Sequence, residues 1–277
     1  VGAAAAFELS KRVCSVTVLE KENDVATGAT RANSAIIHAG YDPEPGTAMA
    51  RLNVRGAQLA KQWCADLDVP YLQIWSMVLA FDDAELQTLR VLYDRGVRNG
   101  VPGLELLDGA SVREREPNVS DAAVGALWAP TAGIVSPWEY ALALIETAVR
   151  NGVELRRDAE VTQITRTADG YRIETTAGAV EARAVVNAAG GYSDRIHNMV
   201  VPPAFRIMPS RGEYYLMDKS EGGLAHSVLF QCPSAAGKGV LVAPTVGGKL
   251  IVGPNAVGDD DPASVRTTAD GLAYVRE

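Results

Sequence analysis

Of the three histidines in the sequence, His38 stands where chemistry is easiest to place, between the apolar pairs Ile36-Ile37 and Ala39-Gly40. An imidazole titrates near ~6.5 in water, so a half-buried one can accept the hydroxyl proton of an alcohol at neutral pH. The same surroundings also suit a histidine satisfied by backbone groups that only shapes its loop, and both readings stay open. His197, on an expected helix, and His226, in Ala225-His226-Ser227, are weaker candidates. Arg211 lies in Arg211-Gly212-Glu213-Tyr214, where a guanidinium can clamp a phosphate or carboxylate through paired donors, or can pair with Glu213 instead. Lys238, between Gly237 and Gly239, adds a point charge, and Tyr214 a hydroxyl. Upstream, Thr27, Thr30, Asn33 and Ser34 gather hydrogen-bonding groups in a loop that also holds Gly28 and Ala29. Taken alone, that loop is simply polar.

These residues need elements to hold them. Gly2 opens an Ala-rich helical stretch, and residues 16–20 read as a buried parallel strand ending in the carboxylate of Glu20. In a dinucleotide-binding unit the last fingerprint glycine lets a helix pack close to the sheet, and an acidic side chain about 20 residues on binds the ribose hydroxyls. Gly2 and Glu20 fit the second half of such a unit; a plain helix before a plain strand fits as well. Residues 47–68 form a helical pattern with Leu52, Leu59, Trp63 and Leu67 along one face, and 74–81 a buried strand. A second helix over 84–99 turns Leu86, Leu89, Tyr93 and Val97 to the core and stops at Gly100. Ser136-Pro137-Trp138-Glu139 has the form of a capping box, opening a helix that ends at Gly152. Three short strands, 160–165, 171–176 and 179–183, form a meander, and 184–188 reads as a strand returning to a parallel sheet.

The chain of 277 residues is long enough for one large domain or two modest ones, and its 47% hydrophobic content is that of a globular protein. With 26 basic against 34 acidic side chains and no basic run, it lacks the footprint of a nucleic-acid surface. No stretch approaches the roughly 18 apolar residues of a membrane span. Cys14, Cys64 and Cys232 are far apart, which argues against zinc and disulfides and for a reducing, cytoplasmic compartment.

Several segments together point to a family. The stretch from Ala26 to Tyr41 resembles the flavin-contacting loop of the D-amino-acid-oxidase-like FAD oxidoreductases. Within them it looks most like the quinone-linked, anaerobic-type glycerol-3-phosphate dehydrogenases, with L-2-hydroxyglutarate oxidases close behind. The stretch from Val185 to Asp194 is similar to the second nucleotide motif, and the stretches beginning at Pro209, Gly239 and Ile251 to the substrate-domain segments. The opening glycines and the closing glycine-rich turn have no counterpart, so the resemblance implies a fragment of a longer enzyme.

That resemblance implies an α/β fold, α+β overall: a doubly wound Rossmann-type FAD domain (residues 1–45 and 135–200) interrupted by a substrate domain with a mixed or antiparallel sheet (46–134 and 201–277). It places FAD against Gly2, Glu20, Thr27, Gly28, Thr30, Asn33, Ser34, Val161, Ala188, Ala189 and Gly190. A small anionic substrate would meet Arg211, Tyr214 and Lys238, with His38 as the base. The implied activity is oxidation of a 2-hydroxy compound, glycerol 3-phosphate first. L-2-hydroxyglutarate, or a secondary amine such as sarcosine, is the alternative, as is a non-catalytic fragment of the same fold. The electron acceptor is left open between a quinone and a partner subunit, and the location between the cytoplasm and the inner face of the membrane.

Overall fold

The computed structural model describes residues 1–233 and 239–277, which pack as two units. The first comprises Val1–Asn33, Pro137–Ser210 and Gly258–Ser264. Its helix Gly2–Leu9 packs on the helix Pro137–Arg150, with Ala6, Phe7, Leu144, Ile145 and Ala148 buried. Beside them the strand Thr17–Leu19 pairs in parallel with Glu154–Arg156. Val161–Arg166, Tyr171–Thr175 and Gly178–Ala182 form the expected antiparallel meander, closed on its inner face by Ile164 and Ile173. Residues 184–188 form no strand. They join no ladder among the described residues, and Val185 and Val186 stay exposed.

The second unit, Ser34–Ser136, Arg211–Val257 and Val265–Glu277, is built on a seven-stranded sheet. In spatial order its strands are Tyr215–Met217, Leu250–Gly253, Leu241–Pro244, Val228–Gln231, Ser76–Ala80, Gly125–Ala129 and Glu105–Asp108. Neighbours are antiparallel except Val228–Gln231 and Ser76–Ala80, which run in parallel. Alternation along Ser76–Ala80 divides the core between the two faces of the sheet. Val78 and Ala80 join Leu89, Leu92 and Leu127 on one side, and Met77 and Leu79 meet Val112 and Ala126 on the other.

Residues 34–45, assigned from sequence to the nucleotide-binding piece, lie in this second unit. Ile36–Ile37 pairs with Gly133–Val135, which also pairs with Tyr71–Leu72, in a separate three-stranded sheet. The helix Ala48–Asp66 buries a different face from the one its larger side chains suggest. Ala50, Ala57, Ala60 and Cys64 are inside, while Leu52 is 60% exposed. Small side chains let the helix lie close to its neighbours, and the larger ones fall on its flank. In the helix Asp83–Arg98, Leu89 and Leu92 are buried and Val97 is exposed. Gly100 and Gly152 follow their helices with φ of +80° and +98°, the left-handed conformation glycine tolerates best. The helix Pro137–Arg150 begins where expected, but the buried Ser136 hydroxyl has no hydrogen-bond partner among the described residues. The Ser136 N–H donates to the Pro70 carbonyl, so the sheet rather than the helix sets the direction of this residue.

Candidate functional site

The first unit carries the nucleotide-binding candidates. Glu20 follows the strand Thr17–Leu19, and its own N–H continues the parallel ladder to the Arg156 carbonyl at 2.9 Å. One carboxylate oxygen accepts from the Glu22 N–H at 3.0 Å; the other has no partner among the described residues. Gly2 packs on the second motif, since a Cβ there would stand 3.4 Å from that of Ala188. The following turn is shaped by a residue not singled out from sequence, Asn187. Its amide donates to the Ser193 carbonyl and its oxygen accepts from the Ala189 N–H, while Gly190 takes φ of +56°. In the Ala26–Asn33 loop, the Asn33 amide donates to the carbonyls of Ala29 and Thr30 at 3.1 and 2.8 Å. Asn33 therefore shapes the loop with the hydrogens expected to serve a ligand. The Thr27 hydroxyl reaches the Asp24 carbonyl only at 3.5 Å. Val161, half-buried, begins the meander opposite Thr175.

These residues fit a flavin dinucleotide. A Cβ on Gly28 or Gly190 would meet nothing within 4 Å, so at Gly28, whose φ is not left-handed, the chain's own packing does not require glycine. Close approach by a bound group would give glycine a reason there. The second Glu20 oxygen would be the one to meet a ribose hydroxyl.

His38 belongs to the second unit. Ala39 and Tyr41 are buried in the core, while His38, which precedes Ala39, is exposed rather than half-buried. Its ring stacks on Phe230, with centroids 5.6 Å apart and planes 27° from parallel. Gly40 holds the turn after it with φ of +109°, and a Cβ there would come within 2.6 Å of Val54 Cγ2 and 2.9 Å of Asn53 Oδ1. Asn99, just past the helix Asp83–Arg98, donates to the carbonyls of Gly40 and Pro43 at 3.0 and 2.7 Å. Sequence reading missed both Phe230 and Asn99, since each lies far along the chain from the loop it supports.

Ser34, expected beside the cofactor, also lies in this second unit. Its hydroxyl lies 2.7 Å from that of Tyr214, joining two residues expected to serve different ligands. Burial pushes the Tyr214 phenol up in pKa, against the lowering effect of the Ser34 bond. Arg211 is paired with Glu213, through Nε at 3.2 Å and Nη2 at 3.0 Å. Glu213 in turn accepts from the N–H of Thr268 at 2.7 Å and from its hydroxyl. Lys238 lies outside the described residues.

The Thr268 N–H, followed by Arg211 and the Thr268 hydroxyl, holds the Glu213 carboxyl below the usual glutamate range against the opposing effect of burial. A carboxyl whose pKa falls on folding stabilises the native state above its unfolded value and loses that contribution as pH drops through the folded one. Wild-type protein should therefore lose melting temperature on acidification below about 4.3, and Glu213→Gln should lose less. Superimposable melting-temperature curves against pH for the two proteins would refute this role.

His226 is engaged in a clasp. Glu116, 1% exposed, accepts from the His226 N–H at 3.1 Å and from the buried Ser227 hydroxyl at 2.5 Å, and its Oε2 lies 3.4 Å from His226 Nδ1. Ser227 directly precedes the strand Val228–Gln231 that carries Phe230.

Comparison with known proteins gives this geometry a family. The family model described as FAD dependent oxidoreductase matches residues 1–277. The chain is 48% identical over 277 residues to a glycerol 3-phosphate dehydrogenase of Caloramator mitchellensis, covering 100% of this chain and 58% of that protein. It is 33% identical to an L-2-hydroxyglutarate dehydrogenase of Salmonella houtenae, covering 87% of this chain and 58% of that one. Among solved structures, the dithionite-reduced, FAD-bound L-alpha-glycerophosphate oxidase of Mycoplasma pneumoniae superposes with a TM-score of 0.90 at 28% identity, covering 100% of this chain and 74% of that one. The chain thus spans somewhat more than half the length of the two dehydrogenases. With its whole length matched and its mixed α/β architecture shared, the chain belongs to the FAD dependent oxidoreductase family.

Proposed function

We propose that the intact protein oxidises a small anionic 2-hydroxy compound, glycerol 3-phosphate to dihydroxyacetone phosphate in the first instance. The observation that carries this reading is the 48% identity, over the whole chain, to a glycerol 3-phosphate dehydrogenase. Glu20, Gly28, Ala188 and Gly190 are assigned to FAD, together with Gly2, Thr27, Thr30, Ala189 and Val161 around them. When bound, FAD supplies the hydride acceptor. The chain's own part is to hold the substrate and manage one proton. His38, backed by Phe230 and open to solvent, is assigned as the acceptor of the substrate hydroxyl proton. Arg211, directed by Glu213, and Tyr214, directed by Ser34, are assigned to the substrate anion with Lys238. A guanidinium has five N–H donors, so an ion pair does not exhaust it. The electrons are assigned onward to a quinone or a partner subunit. No described helix is long and apolar enough to cross a membrane.

A second reading, oxidation of L-2-hydroxyglutarate, draws on the 33% identity to the Salmonella houtenae enzyme. The two separate when each compound is mixed anaerobically with the intact oxidised protein and flavin bleaching is timed. Glycerol 3-phosphate should bleach fastest. Faster bleaching by L-2-hydroxyglutarate would transfer the assignment to the second reading, and bleaching by sarcosine alone would defeat both.

A further inference from the structure

At the start of the helix Ala48–Asp66 the surface opens into a cleft of about 380 Å³, walled by Gly46, Thr47, Arg51, Arg55, Arg98 and Asn99 among others. Three arginines line this cleft in a chain whose net charge is -8. None of the three forms an ion pair among the described residues. Arg55 reaches only the Gln58 side-chain oxygen, at 3.5 Å, and Arg98 only the Asp94 carbonyl, at 3.4 Å. The nearby acid Glu44 is taken by Arg95. Arg51 and Arg55 stand one helical turn apart, a spacing at which like charges repel and the helix loses stability. The wall itself is fixed, because Asn99 donates to the carbonyls of Gly40 and Pro43, and Thr47 caps the helix by accepting from the Ala50 N–H at 3.2 Å. The positive end of the helix therefore adds to the same field.

We propose that this cleft binds a phosphate-bearing anion through Arg51, Arg55 and Arg98. A carboxylate has two oxygens to offer, whereas a phosphate group can meet three guanidiniums at once. The cleft is also larger than a phosphate group alone needs, which leaves room for the organic part of an ester. The phosphate can come from a soluble ester or from a lipid headgroup, since Met49 and Leu52 stand 69% and 60% exposed on the same helix. The proposal goes beyond the redox reading and does not depend on it.

The test compares the intact wild-type protein with Arg51→Gln/Arg55→Gln and with Arg98→Gln. All three are exposed positions, and circular dichroism melting serves as the check on folding. Inorganic phosphate is titrated calorimetrically, and co-sedimentation is measured with phosphatidylcholine vesicles with and without phosphatidylglycerol. A saturable phosphate isotherm weakened about tenfold or more by the double variant supports the site with a soluble ligand. Phosphatidylglycerol-dependent sedimentation lost in the variants supports it with a lipid headgroup. Binding that the variants leave unchanged, acetate that competes as well as phosphate, or no binding in either assay would overturn it.

Discussion

Replacing His38 with alanine is expected to lower turnover of the intact protein by roughly 10²–10⁴-fold, the usual worth of a positioned general base. The substrate proton is shared with the imidazole chiefly in the transition state, so kcat should fall much further than KM rises. The fold should tolerate the change, because the residue is exposed. Single-turnover reduction at near wild-type rate would return His38 to the role of a loop-shaping residue. That alternative is already open in the sequence, where Ile36-Ile37 and Ala39-Gly40 suit both roles.

The second large effect is expected at Glu116. Glu116→Ala removes the acceptor from the His226 N–H and the Ser227 hydroxyl, the latter fully buried. Each orphaned donor costs about 1–3 kcal/mol, so the variant should lose roughly 2–6 kcal/mol of stability. Urea denaturation measures this directly, with Glu116→Gln, which keeps one acceptor oxygen, expected to lose less. Because the clasp anchors the chain just before Phe230, the alanine variant should also slow turnover more than its loss of folded population explains. A change in urea midpoint no larger than that of an exposed Glu→Ala variant would contradict the clasp.

The contrast between these two residues shows what the sequence discloses. His38 stands out in the sequence through its chain neighbours and the resemblance around them, but those neighbours suggest a half-buried ring and the structure has it exposed. Glu116 does not stand out, because its partners lie 110 and 111 residues away and nothing local announces a buried carboxylate. Local signals also explain why the helix ends at Gly100 and Gly152 and the turns of the meander were readable: glycine conformation and short alternating runs need no distant partner. The same limit accounts for the errors. The helix Ala48–Asp66 was turned toward its larger side chains, whereas close packing selected Ala50, Ala57 and Ala60. Residues 184–188 have the composition of a strand but no neighbour among the described residues to make them one. Ser34, next to the polar loop in sequence, also has a distant partner that no local signal announces, a tyrosine 180 residues on. Arg211 shows the choice between ligand and ion pair left open by the Arg-Gly-Glu-Tyr turn: the pair with Glu213 forms, and the substrate role is carried by proposal.

On the function proposed above, the intact protein moves hydride from a carbinol carbon of a small anion onto flavin. The most direct measurement is anaerobic stopped-flow reduction of the flavin in the intact protein by glycerol 3-phosphate, protiated or deuterated at the carbinol carbon that becomes the ketone. The account predicts rapid bleaching that deuterium slows, with dihydroxyacetone phosphate formed in step with the flavin reduced. A flavin that glycerol 3-phosphate does not bleach, or bleaching that yields no dihydroxyacetone phosphate, would contradict it.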